Sequence, residues 1–356
     1  MGLEAALRGY LLEEALAWLL RSSGYQLLVA AEQDPQDLAS EGSILKVRGR
    51  GTAHQVDVLG EWTFNPAFSL PVRLFLEAKF YKTPCRIEVI RNAHGVIHDV
   101  NENYTSSGQS GRPRRRFQYS YALFSTSGFS PDAQEYAIAH QISLVDLSSD
   151  SFGWLRTLIY TTAKRLYSEW VRHHIATFPV TWMRIVLRRR LGTADVQLLP
   201  TAATQTVRFG AAAERVLDEF VADLLHHEET ELLIGFPSAP FIILLKVDDK
   251  RRFIAHADAH PTHPVRIRRL GHEPHAEWVL SPWGDEAAYM LRFTMPAHVE
   301  RWITETEDQR VRRSRAVKSD FLSNITVYRM EGDQPRVYQL QYETTQFRRS
   351  SADTAP

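Results

Sequence analysis

The chain has 356 residues, with 42 Lys and Arg against 42 Asp and Glu, so its formal net charge is zero. That balance excludes a coat protein that grips nucleic acid through a global positive field; any nucleic-acid surface must be a local patch or cleft. Hydrophobic residues at 44% and aromatic residues at 11% describe a globular chain long enough for two domains, not a disordered one.

In chain order, residues 3–23 predict a helix whose apolar stripe is marked by Leu12, Leu16, Leu19 and Leu20. A strand is expected over 25–30, followed by a variable loop. Strands over 54–62 and 72–81, with the Asn65-Pro66 turn region between them, read as a β-hairpin. A helix over 86–103, a Gly/Ser-rich basic loop over 105–117, a strand over 119–125, a helix over 131–140 and a strand over 142–146 follow. This alternation suits a small mixed sheet with helices on both faces.

Residues 152–178 predict a long amphipathic helix with Trp154, Leu155, Leu158, Ile159, Leu166 and Trp170 on its apolar face, placed to link two domains. An Arg188-Arg189-Arg190 cluster comes next, with Gly192 close behind. Further on, a helix over 210–228 precedes strand-like runs at 230–235, 241–247, 252–258, 265–271, 276–281, 288–294, 323–330 and 335–342, with another helix over 296–312. The pattern is that of an α+β domain rich in antiparallel pairing, of no recognised family. Residues 347–356 read as a disordered tail.

The hairpin carries the most informative side chains. Asp57 sits in its first strand and Glu77-Ala78-Lys79 in its second. Side chains alternate along a strand, so Glu77 and Lys79 share one face while Leu76, Ala78 and Phe80 take the other. Two carboxylates and a lysine at the end of an apolar hairpin carry a burial cost that a divalent cation would offset. The competing account is a solvated cross-strand pair, which is worth little.

On these residues the chain resembles the Mrr-type branch of the PD-(D/E)XK restriction-endonuclease superfamily. The run LLEEALAWLLRSSGY (11–25) is similar to that family's opening helix, which places its helix glutamate on Glu13. Asp57, Glu77 and Lys79 match its catalytic core, and Tyr81 takes the aromatic position after the lysine. The block FSTSGFSPDAQEYAIAHQISLVDLSS (124–149) is similar to its strand, Thr-Ser-Gly-Phe-Ser loop, helix and final strand. The resemblance covers roughly residues 5–150, the span of a nuclease domain over 1–150. Two departures stand out: Val56 replaces the proline or small residue before the aspartate, and Glu77 stands where many Mrr-like proteins carry Gln.

The resemblance implies a restriction-endonuclease-like α/β domain that hydrolyses DNA with Mg²⁺, Mn²⁺ serving as a substitute. Asp57 and Glu77 would ligate the ion, and Lys79 would orient the attacking water and offset charge on the phosphate. Glu13 would hold a second ion or a metal-bound water; its alternative is a solvated carboxylate on the helix flank. Glu13 and Glu14 are adjacent, so only one of them is expected to face the site. Arg112, Arg114, Arg115 and Arg116 form the basic end of the 105–117 loop and are expected to contact DNA phosphates, the alternative being a mobile solvated loop. Thr126, Ser127 and Ser130 read as structural, with Ser130 capping the following helix.

Other chemistries find no support. The single cysteine, Cys85, excludes a disulfide framework and a Cys-based zinc finger, and fits a reducing cytosol. Glu4, Glu13 and Glu14 interrupt the opening apolar helix, so no signal-peptide pattern is present, and no apolar run is long enough to span a bilayer. There is no phosphate-binding Gly-Lys-Ser/Thr loop and no Gly-x-Ser-x-Gly. His226, His227, His256, His260, His263, His272 and His275 match no zinc spacing and read as scattered surface or core histidines.

The expectation is thus a cytoplasmic DNA endonuclease over 1–150, a linking helix over 151–180, and a regulatory or targeting domain over 181–346. Such a fusion suits a restriction or antiphage defence effector controlled by a partner protein or small-molecule activator. Paired active sites would make the active form a homo-oligomer. The alternatives are a non-catalytic interaction subunit that keeps the nuclease fold, and a nuclease acting on RNA.

Overall fold

The computed structural model of the chain describes residues 2–42, 44–65, 67–103, 115–195, 207–225, 231–239, 241–271, 276–305, 307–332 and 334–342. The tail expected over 347–356 lies outside them. Contacts divide the chain into two units, Met1–His227 and Glu228–Pro356.

From its N terminus the first unit runs α1 (Leu3–Ser22), β1 (Tyr25–Leu28), β2 (Leu38–Glu41), β3 (Ile44–Arg48), β4 (Ala53–Gln55), β5 (Val58–Trp62), β6 (Val72–Lys79), α2 (Ile87–Asn101), β7 (Gln118–Ser125), α3 (Pro131–Ala139), β8 (Ser143–Asp146), α4 (Gly153–Arg172), α5 (Val180–Leu191) and α6 (Val207–Leu225). Five strands form one mixed sheet in the order β1-β5-β6-β7-β8. β5 pairs antiparallel with β1 and β6, whereas β6, β7 and β8 are parallel neighbours. Each parallel pair is joined through a helix, α2 or α3, because parallel strands need a long crossover.

The two faces of the sheet are covered by different helices. Leu59, Phe75, Tyr121 and Leu123 share a core with Ile90, Ala93 and Ile97 of α2 and Ala133 and Ala137 of α3. Gly60 points the other way, where a Cβ would come within 3.0 Å of Leu20 on α1 and of Tyr25. Glycine there lets α1 lie close against β5. Helix α1 is apolar nearly all round, with Leu7, Leu11, Leu12, Leu16, Leu19 and Leu20 buried, as befits a helix with neighbours on several sides. It packs on β1, β5 and β6 and also on α4 and α5.

Three features depart from the sequence reading. The loop between β1 and β5 holds a second, antiparallel sheet of β2, β3 and β4. The boundary expected at residue 150 falls inside the first unit: α4 buries Leu155, Ile159, Ala163 and Leu166 and packs on α1 and α6. Helix α5 was not anticipated as an element, and it proves central to the site described below.

The start of β6 is fixed by Arg73, only 2% exposed. Its guanidinium donates to Asp34 at 2.7 Å, Glu61 at 2.9 Å, the Tyr119 hydroxyl at 2.9 Å and Asp37 at 3.4 Å, and lies 3.4 Å over the Phe117 ring. A buried cation is tolerated because carboxylates and a π-face surround it.

The second unit contains β9 (Glu231–Pro237), β10 (Ile243–Val247), α7 (Lys250–Ala259), β11 (Thr262–Arg269), β12 (Trp278–Pro282), β13 (Leu291–Phe293), α8 (Ala297–Thr304), α9 (Arg310–Asp320), β14 (Asn324–Glu331) and β15 (Gln334–Tyr342). Its strands close into a barrel in the order β10-β13-β12-β11-β15-β14-β9, antiparallel except for the β11–β15 pair. Leu245, Val265, Trp278, Leu291, Ile325 and Leu340 belong to its core. The strand expected over 252–258 is instead helix α7: Asp249 accepts the Arg252 backbone N–H at 3.0 Å, and Phe253 and Ala257, four residues apart, are its buried face. The helix expected over 296–312 is two, α8 and α9, separated by a 3₁₀ turn at Glu307–Gln309. Among the described residues no helix is long and apolar enough to cross a membrane.

Candidate active site

Asp57 immediately precedes β5. Val58 pairs with Leu76, so Asp57 lies just beyond the end of that register, beside the Glu77 end of β6. The Ala78 backbone N–H donates to Asp57 Oδ2 at 3.0 Å, which fixes the carboxylate against the end of β6. Burial holds Asp57 above its ordinary range, with this hydrogen bond and Lys79 pulling the other way.

Glu77 and Lys79 lie on one face of β6 and form an ion pair. The Tyr121 hydroxyl of β7 donates to the other oxygen of Glu77. Burial alone would lower the Lys79 ammonium, but Glu77 and then Asp57 outweigh it and hold the group above its ordinary range. Lys79 is therefore a cation at neutral pH.

Glu13 is not a solvated flank residue. It is 9% exposed and Glu14 is 1% exposed. The expectation that only one of the two faces the site fails, because one side chain from α5 takes both: Arg184 Nη2 lies 2.8 Å from Glu13 and Arg184 Nε donates to Glu14 at 2.8 Å. Arg188, one turn further along α5, donates to Glu14 at 3.1 Å. Burial pushes Glu13 up to about 8, with Arg184 opposing and Asp57 reinforcing the rise. Glu13, Asp57, Arg184, Arg188, Tyr10 and Thr193 help to line a cavity of about 250 Å³. Glu77 and Lys79 are not part of its lining.

Helix α5, which brings Arg184 and Arg188 to this cavity, is not among the elements expected from the sequence. Two signals were present: adjacent glutamates inside an apolar helix need buried cations, and Arg184 and Arg188 stand four apart in a run ending at Gly192. That glycine is in the left-handed region with φ 63°, as a helix C-terminus prefers.

The basic loop is placed elsewhere. Arg112 and Arg114 lie outside the described residues. Arg115 lies 3.3 Å from Glu61 and over the Phe117 ring, so it belongs to the Arg73 cluster. Arg116 beside it is exposed. Arg73 and Lys79 are at opposite ends of β6, six residues or about 20 Å apart along the strand. The described end of the loop thus enters far from Asp57 and Glu77.

The Ser-Gly-Phe-Ser loop anchors the end of β6: Thr126 donates to the Tyr81 carbonyl at 3.3 Å and Ser127 to the Thr83 carbonyl at 2.6 Å. Ser130 takes the N-cap position of α3, but its hydroxyl bonds Asp132 and makes no cap hydrogen bond. Cys85 is buried, with its thiol 3.4 Å from the Ser125 hydroxyl.

In the second unit His256 is not isolated, its ring lying 4.9 Å from that of His263 and 5.2 Å from that of His260. His263 Nδ1 bonds the His260 carbonyl at 2.6 Å and Nε2 the Tyr289 hydroxyl at 2.5 Å, so neither nitrogen is left for a ligand. His226, His227, His272 and His275 lie outside the described residues.

Among the described residues no group of three or more His, Cys, Asp or Glu side chains converges as a metal site. The donor chemistry of Asp57 and Glu77 nonetheless suits Mg²⁺, a hard ion that takes one or two protein carboxylates and completes its shell with water and substrate oxygens.

No family model and no curated protein matches the chain. It is similar to a solved structure of a protein of unknown function, AF1548, at 15% identity over 59% of this chain and 97% of that one, with a TM-score of 0.33.

Proposed function

We propose that the first unit is a Mg²⁺-dependent endonuclease of the PD-(D/E)XK, Mrr-like type that hydrolyses DNA phosphodiester bonds. One observation carries the reading: the Ala78 backbone N–H holds the Asp57 carboxylate at the end of β6, between the neighbours Glu77 and Lys79, which are ion-paired to each other. Asp57 and Glu77 are the residues to hold the ion, which when bound supplies charge neutralisation at the phosphoryl oxygens and a more acidic water. Lys79, held above its ordinary range by its two carboxylate neighbours, would orient the attacking water and offset charge on the phosphate. Tyr121 orients Glu77. Arg115 and Arg116 would make backbone contacts remote from the scissile phosphate.

The barrel unit is assigned control or targeting of the nuclease, by fold-level analogy with defence effectors. A homo-oligomer is the expected active form. The buried free thiol of Cys85 suits a reducing compartment such as the cytoplasm.

A second reading, a non-catalytic interaction subunit, is favoured by a specific observation. Glu77 has its oxygens on Lys79 and Tyr121, and Glu13 is taken by Arg184. Cleavage of plasmid and of RNA, with and without Mg²⁺, separates the readings when wild type is compared with Asp57→Ala and Lys79→Ala. Metal-dependent DNA cutting lost in both variants supports the nuclease. Cutting of RNA alone would move the substrate class. Cutting unchanged in Asp57→Ala would remove this site from the chemistry.

A further inference from the structure

Helix α9 of the barrel unit carries a charge pattern that its own stability does not call for. It reads RVRRSRAVKSD, with Arg310, Arg312, Arg313, Arg315 and Lys318 against a single acid, Asp320. Cations in a first turn oppose the helix dipole, and no acidic residue stands there to offset them. Val317 is its buried residue, whereas Arg312 and Arg315, three apart, are exposed on one flank. Arg313 is engaged by Glu305 and the Trp302 carbonyl. Among the described residues neither Arg312 nor Arg315 has an ion pair or hydrogen bond. Lys318 is half-buried, its ammonium 5.5 Å from the Trp278 ring centroid and 5.9 Å from that of Tyr342, and no described carboxylate pairs with it. Burial, then Arg266 and Arg315, lowers it to about 8. The cationic surface continues onto β11, where Arg266 and Arg268 share one carboxylate, Glu286, at 2.6 Å and 3.1 Å.

We propose that this face of the barrel unit, Arg312, Arg315 and Lys318 of α9 with Arg266 and Arg268 of β11, binds the phosphate backbone of a DNA duplex. The one carboxylate shared by the two β11 arginines leaves the face with an excess of positive charge, which a row of phosphates would offset. The chain as a whole is neutral, so this attraction is a property of the patch. A membrane surface fits less well, because a helix lying among lipid headgroups needs an apolar face beside its cations. Val311 is the one large apolar side chain that α9 exposes. The inference rests on the targeting role assigned to the barrel above and gives that role a chemistry. It does not need the cleavage chemistry of the first unit.

The test is binding of the full chain to a short fluorescein-labelled DNA duplex, followed by anisotropy in EDTA over a range of salt concentrations. Wild type is compared with the double variant Arg312→Gln, Arg315→Gln, with circular dichroism to confirm folding. Each phosphate contact contributes about 0.9 to the slope of log affinity against log salt, so the double variant should lose about two units of slope and bind more weakly at low salt. Arg312→Lys with Arg315→Lys keeps the charge and should retain most of the binding. Equal affinity and slope in the Gln double variant, or no duplex binding by wild type, overturns the proposal. Binding to phosphatidylserine vesicles in place of the duplex overturns it too. Should the double variant not fold, Arg315→Gln alone decides: a loss of about one unit of slope supports the interface and an unchanged slope overturns it. Because EDTA removes metal-dependent cutting from the assay, weakened binding in the double variant supports the interface even where no cleavage is ever seen, which separates its failure from that of the nuclease reading.

Discussion

The Tyr121 hydroxyl donates to Glu77 from the strand next door, while the Tyr121 ring stacks on Phe75 with centroids 5.0 Å apart. Burial, then the Glu77 charge, raises the phenol well above its ordinary value, so it stays a donor. Glu77 is thereby held by Tyr121 on one oxygen and Lys79 on the other.

Tyr121→Phe removes that donor and keeps the stacked ring. Stability should fall by about 1 kcal/mol, the usual net worth of one hydrogen bond, read from the urea midpoint. Cleavage, under the nuclease reading, should fall about 10- to 100-fold, as when a partner that orients a metal-binding carboxylate is lost. An unchanged urea midpoint would show that the hydroxyl does not serve Glu77.

Arg73 and Arg115 meet the same glutamate, Glu61, with opposite energetic weight. Arg73→Met strips the cation from Asp34, Asp37 and Glu61 in a buried setting and should cost about 3–5 kcal/mol. Arg115 is largely exposed, so Arg115→Ala should cost no more than about 1 kcal/mol. Equal urea midpoints for the two variants would mean that Arg73 is not the organising cation of this cluster.

What could be read from the residues alone followed the range of the forces involved. The hairpin and the helix–strand alternation up to residue 146 are local patterns, and the strands and helices over 58–146 lie within a few residues of where alternation and periodicity put them. Asp57, Glu77 and Lys79 were legible because the ends of one antiparallel strand pair bring them together. Arg184 was not, since its meeting with Glu13 joins residues 171 apart in the chain and no local period announces it. The short apolar run Phe253-Ile254-Ala255 within 252–258 suits a strand as well as a helix, yet only the i, i+4 pair Phe253 and Ala257 is buried. Short strands such as β2, with Leu38 its one buried residue, carry too little apolar surface to signal themselves. The barrel closes through a parallel pair between β11 and β15, contacts of long sequence separation that no hairpin rule supplies.

The barrel should lose stability on acidification through His263. Its Nδ1–H donates to the His260 carbonyl and its Nε2 accepts from the Tyr289 hydroxyl, which is the complement of a neutral imidazole. Burial, together with the neighbouring His256 and His260, holds its pKa below the ordinary 6.5. The sign follows from which state takes the proton first. The unfolded chain protonates this imidazole near its ordinary value and the folded barrel only at lower pH, so the unfolded state binds more protons in between. The stability contributed by the neutral ring is complete above that ordinary value and is lost as pH falls through the folded one. Amide protection factors in β11 should therefore be lower at about pH 5.5 than at about pH 7.5. His263→Gln removes the titrating ring and should flatten that difference, whatever it does to the absolute protection. An equally steep loss of protection in His263→Gln would place the acid sensitivity of the barrel elsewhere.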